Sequence, residues 1–310
     1  MQHNKRQRRN DMENSPDRRS SRSPNKNRPE AGLLYLVATP IGNLADLSFR
    51  ALETLKQVDR IACEDTRTSR QLLDHYGIDK PLVAFHAHNE DKTAERLVES
   101  LLAGEHLALV SDAGTPLIND PGYPLVVHAR TAGIRVIPIP GPCALIAALS
   151  ASGLPSSRFA FEGFPPRKSG ARRSFFESLL SDARTLVFYE SSHRVLETLK
   201  DLAAVFPGCR RLVIGRELTK RFETICATTV GEAAALVEND NDMQKGEFVL
   251  VLEGDDPKDK DQALSTEALR ILTVLLRELS VKSASQMTAE ITGERRETLY
   301  REALRLTSKS

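Results

Sequence analysis

The chain has 310 residues, of which 40% are hydrophobic and 27% are charged, a composition typical of globular proteins and a length that allows two domains. No apolar run reaches the length of a membrane span, and the Arg- and Ser-rich first thirty residues lack the apolar core of a secretory signal. The four cysteines lie far apart without a C-x-x-C pair, which argues against a disulfide framework or a zinc site and predicts a cytoplasmic protein.

The net charge of +1 hides an uneven distribution along the chain. Residues 1–30 contain nine Lys or Arg and four Asp or Glu, a net charge of +5, so the remaining residues carry a net charge of −4. Because this first segment holds almost no residue that could join a core, residues 1–31 are predicted to be a disordered basic arm. Two interpretations of this arm are equally supported: it attracts nucleic acid nonspecifically, or it is a solvated extension without a role.

From residue 33 onward, apolar strands alternate with amphipathic helices, which predicts parallel βαβ crossovers. The predicted strands of this first region are 34–38, 60–63, 82–85, 107–110 and 135–139. Its predicted helices are 47–57, 67–75, 91–103, 121–131 and 143–151. Glycine, proline and serine residues between 150 and 159 predict a hinge that closes a first α/β domain over residues 32–152.

A second α/β domain is predicted over residues 153–254. Its predicted strands are 158–162, 185–189, 211–216, 223–229 and 247–252, and its predicted helices are 170–181, 192–205 and 231–238. No helix separates the third and fourth of these strands, so the second sheet is predicted to be mixed.

The last part of the chain is predicted to be a charged linker at 253–262 and a small helical domain at 263–310. The predicted helices are 266–279, 282–291 and 294–306. The turn at Thr292 and Gly293 favours a helix-turn-helix shape, while a plain helical bundle packed on the body fits the pattern equally well.

Four predicted strands end in loops rich in glycine, proline and small polar residues. The loops are "TPIGN" at 39–43, "VSDAGTPLINDPG" at 110–122, "PIPGPCALIAAL" at 138–149 and "VFYESSHR" at 187–194. Because they follow the carboxyl ends of strands in both predicted domains, they predict a ligand cleft between the domains.

The residue types of this cleft disfavour several classes of ligand and reaction. It has no glycine-rich dinucleotide fingerprint, no phosphate loop and few basic residues, which disfavours a nucleoside triphosphate. It has no clustered metal ligands and no Gly-x-Ser-x-Gly elbow, which disfavours metal-assisted hydrolysis and acyl transfer. Glycines and small hydroxyls let the backbone approach a ligand closely. These features suit a ligand with an adenine, a ribose and an amino-acid end but no phosphate.

Several long motifs resemble the tetrapyrrole methylase superfamily, and more closely its ribosomal RNA small subunit methyltransferase I family. In the first domain they are "YLVATPIGNLADLS", "ACEDTRTSRQLL", "FHAHNE", "LVSDAGTPLINDPG" and "PIPGPCALIAAL". In the second they are "FEGFPPRKSGARR", "FYESSHRVLETL", "RELTKRFET" and "KGEFVLVLEG". The resemblance covers roughly residues 33–306 and leaves the basic arm outside.

This resemblance implies S-adenosylmethionine bound in a cleft between two α/β domains, and a homodimer. It implies 2′-O-methylation of a cytidine ribose in small-subunit ribosomal RNA, either free or in an assembled subunit. The residues implied at the cofactor are Pro40, Ser111, Asp112, Ala113, Gly114, Thr115, Cys143, Ala144, Tyr189, Glu190, Gly246 and Glu247. Cys143 departs from the Ser or Thr that relatives often have there, so no hydrogen bond is assigned to it.

Methyl transfer to a hydroxyl needs an acceptor for the hydroxyl proton. Four side chains near the predicted cleft are candidates, and the residue types leave the choice open: Asp65, His88, Glu90 and Glu217. Asp65 is equally able to cap the helix that follows it, and His88 is equally able to be a structural histidine.

RNA binding needs cationic side chains for phosphate contacts. Predicted contacts are Arg67, Arg70, Arg167, Lys168, Arg172, Arg173, Arg194 and Lys220, with Arg216 nearby. The "PPRKSGARR" segment is predicted to be a flexible cationic loop.

Two rival functions remain open: a methyltransferase acting on a tetrapyrrole such as a corrin precursor, and a nonenzymatic RNA-binding assembly factor. Only 5% of the residues are aromatic, which disfavours a macrocycle trough. The intact cofactor loops disfavour a binder without a cofactor.

Overall fold

The computed structural model describes residues 30–255 and 264–307 of the chain. These residues form two five-stranded sheets with helices packed on them, followed by three C-terminal helices. The predicted basic arm, apart from Glu30 and Ala31, and most of the predicted linker lie outside the described residues.

The first sheet is entirely parallel, as the alternation of strands and helices predicts. Its strand order is β3-β2-β4-β1-β5. The strands are β1 Leu34–Val37, β2 Arg60–Cys63, β3 Leu82–Ala84, β4 Leu107–Val110 and β5 Val136–Ile139. The helices are α1 Phe49–Gln57, α2 Thr66–His75, α3 Glu90–Leu102, α4 Tyr123–Thr131 and α5 Ala144–Ala151. Separate apolar clusters cover the two faces of the sheet, as a buried parallel sheet requires.

The second sheet is mixed, which confirms the prediction. Its order is β6-β7-β10-β8-β9, with β6 and β7 parallel and the other pairs antiparallel. The strands are β6 Phe159–Gly163, β7 Thr185–Ser191, β8 Arg211–Arg216, β9 Thr224–Thr229 and β10 Glu247–Leu252. The helices are α6 Ser169–Ser178, α7 Val195–Val205 and α8 Val230–Glu238. Strands β8 and β9 pair directly, since no crossover helix separates them.

Helix α5 follows the last strand of the first sheet but packs on the second sheet. Its buried side chains Leu145, Ala148 and Leu149 form one apolar cluster with Val213 and Val249 of the second sheet. The helix is apolar around most of its circumference, as expected for a helix buried between two layers. This packing joins the two sheets and brings loops from both of them together.

The prediction of a flexible loop throughout "PPRKSGARR" is wrong for its second half, whereas the predicted helix at 170–181 is confirmed. Helix α6 spans Ser169–Ser178, so Arg172 and Arg173 lie on a helix. Arg172 and Phe176 are buried at positions i and i+4, which places both on the face of α6 that packs inward.

The C-terminal helices are α9 Thr266–Leu275, α10 Val281–Thr292 and α11 Arg296–Thr307. Ser265 and Ser280 cap the first two through their hydroxyls, which accept backbone N–H bonds from the first turn. Gly293 ends α10 with a left-handed φ of 74°, which a glycine adopts at little cost. Ala268, Leu272, Ala284, Leu299 and Ala303 form the buried centre of these helices. None of the described helices combines the length and apolar character that crossing a membrane requires.

Candidate active site

A cavity of about 300 Å³ lies where loops from the two sheets meet, a volume at the lower end of the range for small-molecule sites. The first-sheet residues that line it are Ile41, Ala113, Gly114, Thr115, Ile118, Asn119, Asp120, Cys143 and Ala144. The second-sheet residues are Phe164, Tyr189, Glu190, Ser191, Leu218, Lys220, Glu247, Phe248 and Val249. The predicted cleft between the two α/β regions therefore exists, and all four predicted loops contribute to it.

Three loops of the first sheet are tied into one wall of the cavity. Thr39 N donates to Gly114 O at 2.8 Å, and Gly114 N donates back to Thr39 O at 3.0 Å. Thr115 Oγ1 donates to Pro142 O at 2.9 Å, which connects the loops after β4 and β5. Gly114 has a φ of +88°, and an added Cβ there would lie 3.4 Å from Cγ2 of Ile41. The wall therefore needs glycine at this position, since other residues rarely adopt such a φ.

Eight of the twelve predicted cofactor residues line the cavity. The other four, Pro40, Ser111, Asp112 and Gly246, lie beside or behind it. Ser111 Oγ donates to Gly114 O at 3.3 Å and thereby holds the loop after β4. Asp112 Oδ1 accepts a hydrogen bond from Asp65 N at 3.0 Å. Ser111 therefore holds backbone that itself reaches the cavity, whereas Asp112 ties the loop after β4 to the start of α2.

Tyr189 places a phenol at the cavity. Its hydroxyl oxygen accepts a hydrogen bond of 3.2 Å from Leu145 N at the start of α5. The pKa of Tyr189 is raised to about 12, mainly by burial and secondly by the neighbouring Cys143. The phenol is therefore protonated at neutral pH and can donate to a ligand.

Glu190 lines the cavity but its carboxylate is fully engaged. It accepts hydrogen bonds from Ser191 N at 2.8 Å and from Thr198 Oγ1 at 2.6 Å. It also forms an ion pair of 3.2 Å with Arg194, whose guanidinium donates to Pro165 O. Glu190 and Arg194 therefore fix the end of β7 where it meets the cavity.

The four predicted proton acceptors lie outside the cavity lining. Asp65 caps α2 and binds Arg67 N at 2.7 Å, and the hydrogen bonds from the Arg67 side chain lower the pKa of Asp65 to about 2. Glu90 Oε2 accepts from Gly122 N at 3.3 Å, and His88 is exposed. Both Asp65 and Glu90 are thus occupied in positioning backbone.

Glu217, the fourth, belongs to an ion cluster at the edge of the cavity. Lys220 Nζ lies 2.8 Å from Glu217 Oε1 and 2.7 Å from Glu247 Oε2. Burial acts to raise the pKa of Glu217, but the hydrogen bonds from Lys220 and from Glu247 N outweigh it, so the pKa is lowered. A carboxylate stabilised in its charged form in this way is a weak proton acceptor.

The sequence reasoning missed Asp120, a carboxylate that lines the cavity. The pKa of Asp120 is raised to about 6, mainly by burial and also by the nearby carboxylates of Glu64 and Asp112, while a hydrogen bond with Ser111 acts to lower it. Asp120 lies within the motif "VSDAGTPLINDPG", so the signal was present. Its exposure and neighbours are tertiary properties that the motif alone does not show.

The predicted RNA contact at Arg172 is wrong, because its side chain is only 1% exposed. It lies 2.7 Å from Asp201 on α7 and 3.7 Å from Glu197, and it donates to the carbonyl of Arg167. Arg173, which is 52% exposed, binds the other Asp201 oxygen at 2.6 Å. Arg172 is therefore a structural side chain that joins α6 to α7.

The other predicted RNA contacts differ in how accessible they are. Arg167 and Lys168 are exposed directly after β6. The side chain of Arg67 is 88% exposed beside Asp65, and Arg70 pairs with Asp79. Arg194, Lys220 and Arg216 are held in the contacts of the cavity rim, where Arg216 donates to Lys245 O at 2.7 Å.

Residues 33–234 match the family model of the tetrapyrrole (corrin/porphyrin) methylases, and residues 262–307 match that of the RsmI C-terminal HTH domain. The chain is 56% identical over 269 residues to a Xylella fastidiosa protein named ribosomal RNA small subunit methyltransferase I, covering 87% of this chain and 98% of that protein. It is 54% identical over 273 residues to an Escherichia coli O157:H7 protein of the same name, covering 88% of this chain and 95% of that protein.

Solved structures of lower sequence identity share the fold. A uroporphyrin-III-C-methyltransferase from Thermus thermophilus has a TM-score of 0.51 at 23% identity, covering 72% of this chain and 94% of that one. A diphthine synthase has a TM-score of 0.53 at 15% identity, covering 72% and 90%. The predicted fold class, two α/β units followed by C-terminal helices, is confirmed.

Proposed function

The chain belongs to the tetrapyrrole methylase family and, within it, to the ribosomal RNA small subunit methyltransferase I family, and from this premise we propose that it methylates the 2′-hydroxyl of a cytidine ribose in small-subunit ribosomal RNA. The observation that carries the proposal is similarity over nearly the whole length of the relatives, 98% of the X. fastidiosa protein. The family model of the tetrapyrrole methylases ends at residue 234, so that match does not include the C-terminal helices.

S-adenosylmethionine is the methyl donor, and the cavity fits it. Apolar side chains that suit an adenine come from Ile41, Ile118, Leu218 and Val249. Among the described lining residues the one Lys or Arg is Lys220, which is paired with two glutamates. The cavity therefore offers no unpaired cation for a phosphate, in keeping with a donor that carries a sulfonium, an ammonium and a carboxylate.

When bound, S-adenosylmethionine supplies a methyl group that is already activated by a positively charged sulfur leaving group. The protein has to align the ribose oxygen for in-line attack, exclude water and accept the hydroxyl proton. Gly114 and Thr115 present backbone to the cavity, Tyr189 supplies a phenol donor, and α5 with the second sheet closes the far side. These groups are proposed to hold and orient the donor.

Arg167 and Lys168 are proposed to contact RNA phosphates. Both are exposed, and neither forms an ion pair within the described part of the chain. They follow β6, whose loop also brings Phe164 to the cavity. Because Phe164 lines the cavity only three residues before Arg167, this nearby positive charge supports a phosphate contact that would orient the RNA.

Replacing Arg167 and Lys168 together by alanine is expected to weaken RNA binding and flatten its salt dependence. Each lost phosphate contact on single-stranded RNA changes the slope of log K against log salt by about 0.7, so the pair changes it by up to about 1.4. Affinity for S-adenosylmethionine should not change. Binding isotherms at several salt concentrations measure both quantities.

A matched control is the double alanine variant of Arg130 and Arg135. Both are exposed and precede β5: Arg130 lies in the last turn of α4, and Arg135 directly precedes the first residue of the strand, at the end away from the loop that lines the cavity. This variant loses the same charge without losing a proposed contact. An equal change of slope in the two double variants would contradict the placement of RNA beside Arg167.

Mapping ribose methylation in small-subunit RNA tests the proposed function directly. Purified protein is incubated with labelled S-adenosylmethionine and either free RNA or assembled small subunits, and the RNA is digested and analysed by mass spectrometry. The expected product is one 2′-O-methylcytidine. Label on a base, or on a corrin precursor offered in parallel, would favour the tetrapyrrole or another methylase activity. No transfer, with RNA still bound, would favour an assembly factor.

A cytoplasmic homodimer is proposed as the working form. Gly42 lies against Lys220, which brings the loop after β1 next to the β8–β9 loop. The chain after β1 carries the apolar side chain of Leu44, and the β8–β9 loop carries that of Phe222; they are 41% and 65% exposed. Burial of such side chains between two copies would support a dimer. Sedimentation of the protein and of a Phe222→Ser variant measures it.

A further inference from the structure

We propose that Asp120 is the proton acceptor for the ribose 2′-hydroxyl. This inference rests on the proposed function, and it assigns the one chemical task that the predicted acceptors do not perform. Asp120 lies on the loop between β4 and α4 and lines the cavity beside Tyr189 and Thr115.

Asp120 differs from the other carboxylates of the cavity in its partners. Three described acidic residues line it, namely Asp120, Glu190 and Glu247. Glu190 is paired with Arg194 at 3.2 Å, and Glu247 with Lys220 at 2.7 Å. Asp120 forms no ion pair within residues 30–255 and 264–307. Its one side-chain partner among the described residues is the hydroxyl of Ser111, so it is the lining carboxylate that no cation holds and that can still accept a proton from a substrate hydroxyl.

The backbone on the amino-terminal side of Asp120 is held in a costly conformation. Leu117 and Asn119 have φ values of 70° and 68°, a left-handed region that is unfavourable for a leucine. After Asp120, Gly122 has a φ of 138°, and a Cβ there would lie 2.7 Å from Leu109 Cδ2. Such strain persists where the surrounding structure over-determines it, commonly at functional sites. Here it presents Asp120 to the cavity.

The groups that face Asp120 tune it for proton transfer near neutral pH. They are the carboxylates of Glu64 and Asp112, the hydroxyl of Ser111 and the phenol of Tyr189. With a pKa of about 6, raised mainly by burial, the Asp120 carboxylate is mostly charged at pH 7 and yet more basic than an ordinary aspartate. An acceptor whose pKa lies near the working pH is the most effective one.

The step balances with groups already named. As the ribose oxygen bonds to the methyl carbon, its O–H bond breaks and the proton passes to Asp120. The electron pair of the carbon–sulfur bond stays on sulfur, which leaves a neutral thioether. Asp120 then returns the proton to solvent.

The test compares Asp120→Asn and Asp120→Glu with wild-type protein and with Asp74→Asn. Asp74 is an exposed carboxylate near the end of α2 and serves as the matched control. Single-turnover methyl transfer to small-subunit RNA is measured from pH 5 to pH 9, and S-adenosylmethionine affinity is measured by calorimetry.

Loss of the proton acceptor is expected to slow single-turnover transfer about 100- to 10,000-fold in Asp120→Asn. S-adenosylmethionine should still bind with little change. The wild-type rate should rise with pH through an inflection near the pKa of Asp120, and the Asn variant should lose that inflection. Asp120→Glu should recover part of the rate together with a pH inflection, and Asp74→Asn should behave as wild type.

Unfolding provides a readout that a merely structural role would not give. A carboxyl group whose pKa is raised on folding binds more protons in the native state, so stability present below about pH 4 is lost as pH rises through about 6. The asparagine of Asp120→Asn does not titrate, so this variant should not lose stability in this way as the pH rises. Its melting temperature should therefore exceed that of the wild type at pH 8, and the difference should shrink at pH 4. A structural aspartate would instead leave the variant less stable at pH 8.

Three outcomes would overturn the inference. Unchanged turnover in Asp120→Asn, or turnover that recovers fully at saturating S-adenosylmethionine, would make Asp120 a bystander or a cofactor ligand. Retention of the pH inflection in the Asn variant would assign it to another group. Wild-type protein that methylates no ribose would overturn the proposed function, and the acceptor role with it.

Discussion

Replacing Arg172 with alanine is expected to lower the free energy of unfolding by about 3–5 kcal/mol, the usual cost of removing one partner from a buried ion pair. Arg172 is 1% exposed and Asp201 4% exposed, so the remaining carboxylate stays away from water. Arg173 and Ser169 still donate to Asp201, at 2.6 and 2.9 Å, in the variant. We therefore expect the decrease in the free energy of unfolding to lie near the lower end of this range. Urea unfolding monitored by circular dichroism measures it.

Arg173→Ala is the matched control for this prediction. Arg173 is a neighbour on the same helix and binds the same carboxylate, but its side chain is 52% exposed. Its loss should lower the free energy of unfolding by no more than about 1 kcal/mol, because solvent screens an exposed pair. Similar small losses in both variants would show that the Arg172 pair contributes little.

Replacing Gly114 with valine is expected to weaken S-adenosylmethionine binding by roughly 5- to 150-fold, corresponding to the 1–3 kcal/mol cost of overfilling a packed site. Gly114 lines the cavity at a φ of +88°, with Ile41 Cγ2 only 3.4 Å from the position of an added Cβ. A β-branched side chain would occupy ligand space and displace the loop after β4. Titration calorimetry of the purified variant gives the affinity.

Backbone strain alone would also destabilise the Gly114 variant, so a control must share it. Gly77→Val serves this purpose, because Gly77 has a φ of +65° and no atom within 4 Å of an added Cβ. Both variants should lose stability through the left-handed φ, but the Gly77 variant should keep its affinity. Equal affinity in the Gly114 variant and the wild type would remove this loop from the proposed cofactor site.

The order of elements and the strand directions of both sheets were predictable from the sequence. Short apolar runs separated by amphipathic helices predict parallel strands, and the missing helix between β8 and β9 predicts an antiparallel pair. Both are local patterns. Most predicted cofactor residues also line the cavity, since loops at the carboxyl ends of parallel strands converge whatever their details.

Arg172 shows what the sequence pattern left undecided. The sequence "RKSGARR" contains four basic residues and does not distinguish among them. The packing of α6 on α7 buries Arg172 against Asp201 and leaves Arg167 and Lys168 exposed. Arg172 and Phe176 lie at i and i+4 within the helix predicted at 170–181, but this spacing does not show which face of the helix packs against α7.

Local periodicity and long motifs are enough to identify the fold class, the family and the loops that meet at the cavity. Which charged groups are buried, paired or available depends instead on how the chain packs. Asp120 and Asp112 lie in one motif, but Asp112 is exposed and binds Asp65 N, while Asp120 is partly buried with its pKa raised to about 6. The physical reason is that desolvation and ion pairing depend on groups distant in the chain, which only folding brings within a few ångströms.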